Sequence, residues 1–156
     1  MQGNVFHPSE VMRVPGSIPM DYIYTVGVAG ERFFREIKDN GRFLATPCPR
    51  CGITYLPPRL YCERCFAALE QWLPVPDTGE VVAVTTGYVD LEGARLPEPV
   101  VYAAVRVDGT DGTLVHRLLE VGPGEAHIGM RVKAVFRPAE SRVGSVLDIA
   151  GFRPVA

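Results

Sequence analysis

Four cysteines, Cys48, Cys51, Cys62 and Cys65, constrain this chain more than anything else in it. They form two Cys-x-x-Cys pairs separated by ten residues. Zinc takes four soft ligands at tetrahedral corners about 2.3 Å away, and a Cys-x-x-Cys turn supplies two thiolates from one knuckle. Gly52 follows Cys51, where a knuckle turns back and a positive φ is often needed. A thiol-redox motif would start a helix in a βαβ setting, and the flanking residues suggest neither. Disulfides fit poorly as well. The amino terminus shows no basic region followed by an apolar core, so no secretory signal is read and a reducing cytoplasm is the expectation. The spacing points to a four-cysteine metal site, zinc first; iron stays open, because tetrahedra of four thiolates bind it too. A four-thiolate zinc has no position left for water or substrate, so its expected role is structural.

The whole chain has 156 residues, enough for one ordinary domain or two small modules. With 47% hydrophobic and 22% charged residues, wholesale disorder is excluded. The formal net charge of −2 argues against nucleic-acid binding by bulk electrostatics. No apolar run approaches the length needed to cross a bilayer, so no membrane role is expected.

Three stretches emerge along the chain. Residues 1–28 contain Pro8, Pro15 and Pro19 beside Val5, Phe6, Val11, Ile18, Met20 and Tyr22. The prolines discourage a helix, yet the segment is too apolar for a solvated tail, so it reads as an extended arm lying on the protein's own body or on a partner. Residues 29–76 read as a short helix, the metal ribbon and a connector. Phe33, Phe34 and Ile37 make one apolar stripe, Glu31/Arg35 and Arg32/Glu36 are i,i+4 pairs, and Asn40-Gly41 is a stop signal. The connector, Phe66 to Pro76, carries the only tryptophan, Trp72. Residues 77–156 read as five strands, over 80–89, 100–107, 113–121, 131–137 and 146–152, separated by Gly-rich turns. Such a mainly β pattern suggests a small barrel, with the five-stranded OB-fold first and an SH3-like barrel second.

No catalytic constellation is apparent. If the four cysteines hold metal, no thiol nucleophile remains, and His7, His116 and His127 lack hydrolase spacing. There is no phosphate loop and no nucleophile elbow. An OB barrel raises single-stranded nucleic-acid binding as an alternative, with Tyr88 and Tyr102 to stack and Arg95, Arg106, Arg117 and Arg131 to meet phosphates. The balance of 16 basic against 18 acidic residues is poor for that task.

The order helix, Cys48-Pro49-Arg50-Cys51-Gly52, Pro57-Pro58-Arg59, Cys62-Glu63-Arg64-Cys65, then a barrel containing Gly129-Met130-Arg131-Val132, resembles the rubredoxin-like zinc-ribbon plus OB-fold family associated with acyl-CoA enzymes. The resemblance covers nearly all of the chain from about Glu31 onward. It implies a rubredoxin-like four-cysteine zinc ribbon followed by a five-stranded OB-fold barrel. It also implies a non-catalytic subunit joined to a thiolase-fold partner that works on coenzyme A thioesters, as in archaeal thiolase assemblies, steroid side-chain aldolases and benzoylsuccinyl-CoA thiolase. By position, Cys48, Cys51, Cys62 and Cys65 match the family's metal ligands. Pro57, Pro58 and Arg59 match its loop motif near the partner's coenzyme A entrance, where Arg59 either meets a CoA phosphate as a bidentate donor or buttresses the ribbon.

Overall fold

The computed structural model describes residues 12, 14, 16 and 23–155. Most of the expected amino-terminal arm lies outside them. Helix α1 spans Gly27–Asn40 and starts before the charge pattern at Glu31, because the Thr25 hydroxyl oxygen accepts the Gly27 N–H at 3.1 Å and Val28-Ala29 extend the first turn. Phe33 and Ile37, four residues apart, are its buried residues. The helix ends at Gly41, whose φ of 61° lets its N–H return to the Ile37 carbonyl at 3.0 Å.

Three short strands follow: β1 Phe43–Pro47, β2 Thr54–Tyr55 and β3 Leu73–Val75, in the order β2-β1-β3. The third corrects the expected connector. Leu73–Val75 pairs antiparallel with Phe43–Ala45 and completes the ribbon's sheet. Pro74 masks it in the sequence, but β3 is an edge strand, where a missing N–H can be tolerated.

The second sheet contains β4 Thr78–Val89, β5 Arg95–Val107, β6 Thr113–Arg117, β7 Arg131–Phe136 and β8 Ile149–Pro154, ordered β6-β5-β4-β7-β8. A parallel bridge between Leu118 and Phe152 brings the β6 and β8 ends together and curls the sheet towards closure. Leu119 N–H donates to the Phe152 carbonyl there at 2.7 Å. This is the five-stranded OB-fold. The alternation expected in β7 is present: Val132 and Ala134 are buried, while Arg131 is exposed.

Strand limits differ from expectation by more than two residues in three places. β5 begins at Arg95, ahead of Pro97 and Pro99, and β6 stops at Arg117 rather than Val121. Val146–Asp148, expected as strand, is a 3-10 turn; the Ser145 hydroxyl accepts the Leu147 N–H and Asp148 completes a capping box.

One large apolar core joins the helix, β1 and the barrel. Phe43 is fully buried, with its ring 6.2 Å from Phe33, 5.1 Å from Phe136 and 6.3 Å from Phe152. Val81, Val105, Val107, Val132 and Ile149 fill the same core. A second, much smaller cluster holds Cys48, Tyr55, Cys62 and Leu69. Beyond that shared core, which includes Phe43, Ala45 and Leu56 of the ribbon, polar contacts at one turn fasten the ribbon to the barrel. Asp111 N–H donates to the Thr54 carbonyl at 2.9 Å, and Thr54 N–H donates to the Asp111 carboxylate at 2.8 Å. Gly112 lies so close that an added Cβ would sit 2.0 Å from the Leu56 carbonyl oxygen.

Candidate metal centre

The four cysteines converge. Their Sγ atoms all lie within 4.8 Å of one another, with Cys48–Cys65 at 3.6 Å and Cys51–Cys62 at 3.8 Å. A zinc tetrahedron with 2.3 Å bonds has edges of about 3.8 Å, so the donor set fits such an ion in kind and spacing. It is the one cluster of metal-ligating side chains found among the described residues.

Each knuckle is built by its own backbone. In the first, Gly52 takes φ 68° and its N–H returns to the Cys48 carbonyl at 2.9 Å. The Cys51 N–H reaches the Cys48 sulfur at 3.4 Å, as an outer-shell donor that disperses thiolate charge. In the second, Phe66 N–H returns to the Cys62 carbonyl at 2.9 Å, but the left-handed position, φ 55°, is filled by phenylalanine. Cys48 and Cys62 are buried; Cys51 and Cys65 are partly exposed.

Two of the thiols, Cys62 and Cys51, are displaced in opposite directions. The Tyr55 hydroxyl, 3.2 Å from the Cys62 sulfur, is the main reason that thiol is pulled down to about 6, helped by the backbone N–H groups of Cys65 and Arg64. The same contact pushes the Tyr55 phenol up to about 12. Hydrogen bonding with Cys65, then burial, pushes Cys51 up to about 12. A bound divalent cation would favour the thiolate at every position. Tyr55 is a residue that the spacing of cysteines could not reveal.

The Pro-Pro-Arg loop lies beside this centre. Its backbone is tied to the fully buried Thr46, whose hydroxyl oxygen accepts the Arg59 N–H at 2.9 Å and donates to the Arg59 carbonyl at 3.1 Å. Pro58 is buried, whereas Pro57 and Arg59 are exposed. The Arg59 guanidinium pairs with Glu63 and lies 5.0 Å from the Tyr55 ring centroid. A polar cleft of about 390 Å³ opens here between ribbon and barrel, lined by Tyr55, Pro57, Arg59, Arg64, Asp111 and Thr113 among others.

The remaining candidates stand apart from the centre. His127 lies on an exposed loop, His7 is outside the described residues, and His116 is half-buried on β6. Burial, then the neighbouring Arg117 charge, lowers the His116 pKa, and its Nδ1 has no hydrogen-bond partner among the described residues. Tyr88 and Tyr102 are exposed. Of the arginines proposed for phosphate, Arg131 chelates Asp108 through two nitrogens and Arg106 lies 3.6 Å from Glu80. Arg117 donates to the Ala150 carbonyl. No helix among the described residues is long and apolar enough to cross a membrane.

Comparison with known proteins agrees with this geometry. Residues 35–70 match the family described as the ChsH2 rubredoxin-like zinc ribbon domain, and residues 72–137 match the ChsH2 C-terminal OB-fold domain. A solved protein of unknown function from the DUF35 family of Sulfolobus solfataricus is 27% identical, with a TM-score of 0.61 over 82% of this chain and 84% of that one. A structure described as the Ltp2-ChsH2(DUF35) aldolase is 21% identical, with a TM-score of 0.62 over 85% of this chain and 98% of that one, and shares the fold. No curated protein matches. Two consecutive domain matches, laid over a four-thiol ribbon and a five-stranded barrel in the same order, show that this chain belongs to the ChsH2-type zinc-ribbon and OB-fold family.

Proposed function

We propose that this chain is a non-catalytic, zinc-holding subunit of a thiolase-type acyl-CoA acyltransferase complex. The observation that carries the reading is the joined pair of ChsH2-type domains, in a fold shared with a chain solved in an Ltp2–ChsH2 aldolase complex. In this reading Cys48, Cys51, Cys62 and Cys65 hold zinc, which supplies structural cross-linking and no open coordination site. The catalytic partner contributes the nucleophile, base and oxyanion donors. The chain stabilises that partner and shapes the mouth of its substrate channel. Pro57 and Arg59 line the polar cleft, and in this reading the Arg59 guanidinium exchanges Glu63 for a coenzyme A phosphate at the interface with the partner. A benzoylsuccinyl-CoA thiolase small subunit is one specific form of this role.

The test is an affinity pull-down of the tagged chain from its native cell extract, with partners identified by mass spectrometry. Stoichiometric recovery of a thiolase-fold protein, whose acyl-CoA turnover drops when this chain is removed, is the expected result. Recovery of nucleic acid, or of nothing stoichiometric, overturns the reading.

A further inference from the structure

The two knuckles make the same turn with different residues at the left-handed position. Gly52 fills it in the first, at no steric cost. Phe66 fills it in the second, where a bulky side chain is disfavoured, and its side chain does nothing visible for the fold: the residue is 79% exposed. Strain retained without a packing reward points to a function for the side chain itself.

Phe66 is not alone. The second knuckle is the tip of a small hairpin in which Tyr61 bridges Ala68 and Leu69 N–H donates to the Leu60 carbonyl at 2.8 Å. Tyr61 is 63% exposed on that hairpin, and Leu60 is exposed beside it. Leu60 and Tyr61 line a shallow cleft of about 330 Å³ with Val28, Arg32, Leu69 and Trp72. The lining of this cleft carries one charge of each sign, Arg32 and Glu70, and Arg32 lies over the Trp72 ring at 4.7 Å. Such a surface suits an apolar protein face and offers no concentrated positive charge to phosphates or an anionic membrane. Ile23 and Tyr24, both exposed, precede Val28 at the same cleft.

We propose that Phe66, Tyr61 and Leu60 form the anchor by which the second knuckle docks onto an apolar socket of the catalytic acyltransferase partner. This rests on the subunit reading above and names the surface through which it operates. The metal centre fixes the anchor, since Cys62 and Cys65 flank the turn that presents Phe66. Aromatic anchors in desolvated sockets are where interface affinity concentrates.

The experiment compares the wild-type chain, Phe66→Gly and Tyr61→Ser, first in pull-downs that identify the acyltransferase and then in titrations against that purified partner. Phe66→Gly is expected to keep one zinc per chain and an unchanged or higher unfolding temperature while its affinity falls about thirtyfold or more. Tyr61→Ser, which leaves the backbone of the knuckle alone, is expected to weaken binding in the same direction. Affinities within about twofold of wild type for both variants overturn the anchor while leaving the subunit reading intact. No acyltransferase on the wild-type chain overturns the subunit reading and the anchor with it. A dimer of the isolated chain in sedimentation that Phe66→Gly disperses assigns the surface to self-association instead, and likewise overturns it.

Discussion

The ribbon and the barrel are held by different physics. The barrel shares a core with α1 and β1, in which Phe33, Phe43, Val105 and Phe152 are among 16 buried residues. The ribbon's own cluster has four, of which two are cysteines. Burial at about 25 cal/mol per Å² can hold the first, but a cluster of that size cannot hold the second against chain entropy. In zinc-finger peptides a structural zinc supplies roughly 10–16 kcal/mol of apparent binding free energy, which is also folding free energy. A small hydrophobic module and a metal-clipped one can thus sit in one chain, each stable for its own reason.

The sharpest way to break that contrast is to remove the ion. Chelation, or Cys62→Ser, is expected to unfold residues 48–70 completely while hydrogen exchange in β4, β5, β7 and β8 stays slow. Metal analysis and amide exchange on the same sample check it. Simultaneous loss of protection in both modules would mean that they fold as one unit. The mirror experiment is Phe152→Ala, at a residue with no exposed surface. Truncation of a buried phenylalanine costs about 3–5 kcal/mol, read as a fall in the denaturant midpoint of the barrel. The metal stoichiometry of the ribbon should survive this change.

The contrast also decides what could be read from sequence. The metal centre was legible because zinc chemistry imposes a local spacing, and Cys48 to Cys65 carry it within eighteen residues. The end of α1 at Gly41 and the face alternation of β7 were legible because each is written in neighbouring residues. β3 was hidden because Pro74 and Pro76 speak against a strand, and only its edge position makes Pro74 acceptable. The start of β8 was misplaced because Val146-Leu147 looks apolar and extended, while the Ser145–Asp148 capping box turns it into a 3-10 turn. Tyr55 beside Cys62 and Asp111 beside Thr54 depend on contacts made only after folding; the second spans 57 positions. The Phe66 signal was present, as Cys65-Phe66 against Cys51-Gly52, but it acquires meaning only with φ and exposure in hand.

The joint between the modules sharpens the comparison further. Gly112→Ala drives a methyl group into the Leu56 carbonyl, so the Asp111–Thr54 pair must separate. A loss of about 1–3 kcal/mol is expected, the range for overpacking a tight contact. If the modules are independently held, each keeps its own signature, with metal bound and barrel folded, while their relative orientation loosens in small-angle scattering. An unchanged scattering profile would show that the helix and β1 alone fix the orientation.

Acid should act on the barrel through two carboxylates. The Arg131 guanidinium, then the Thr78 hydroxyl, holds Asp108 down at about 2. Asp148 is buried, which alone would raise its pKa, but the N–H groups of Val143, Gly144 and Ser145 outweigh burial and lower it. Both folded values lie below the ordinary 3.8, so the unfolded chain binds protons first as pH falls. Their contribution is fully present well above pH 4; that of Asp108 drains away between about pH 4 and pH 2, and that of Asp148 is lost as pH falls below its ordinary value. Asp148→Ala should cost about 2 kcal/mol at neutral pH by leaving those three N–H groups without their acceptor. It should also flatten part of the acid limb of a stability–pH curve. An equally steep limb in the variant would place the acid sensitivity elsewhere.

The smallest expected effect lies within the ribbon, between its two knuckles. Gly52 and Phe66 hold nearly the same φ, 68° and 55°, yet only glycine adopts it without strain. Phe66→Gly removes that strain and gives up almost no burial, because the side chain is largely exposed. The added freedom of glycine in the unfolded chain works the other way and takes back part of the gain. A net stabilisation of the metal-bound ribbon by about 1 kcal/mol or less is the expected balance, measured as a slower loss of zinc to a competing chelator. A faster loss of zinc would mean that the phenyl ring shields the thiolates from solvent, and that the second knuckle is held by its aromatic residue as well as by its metal.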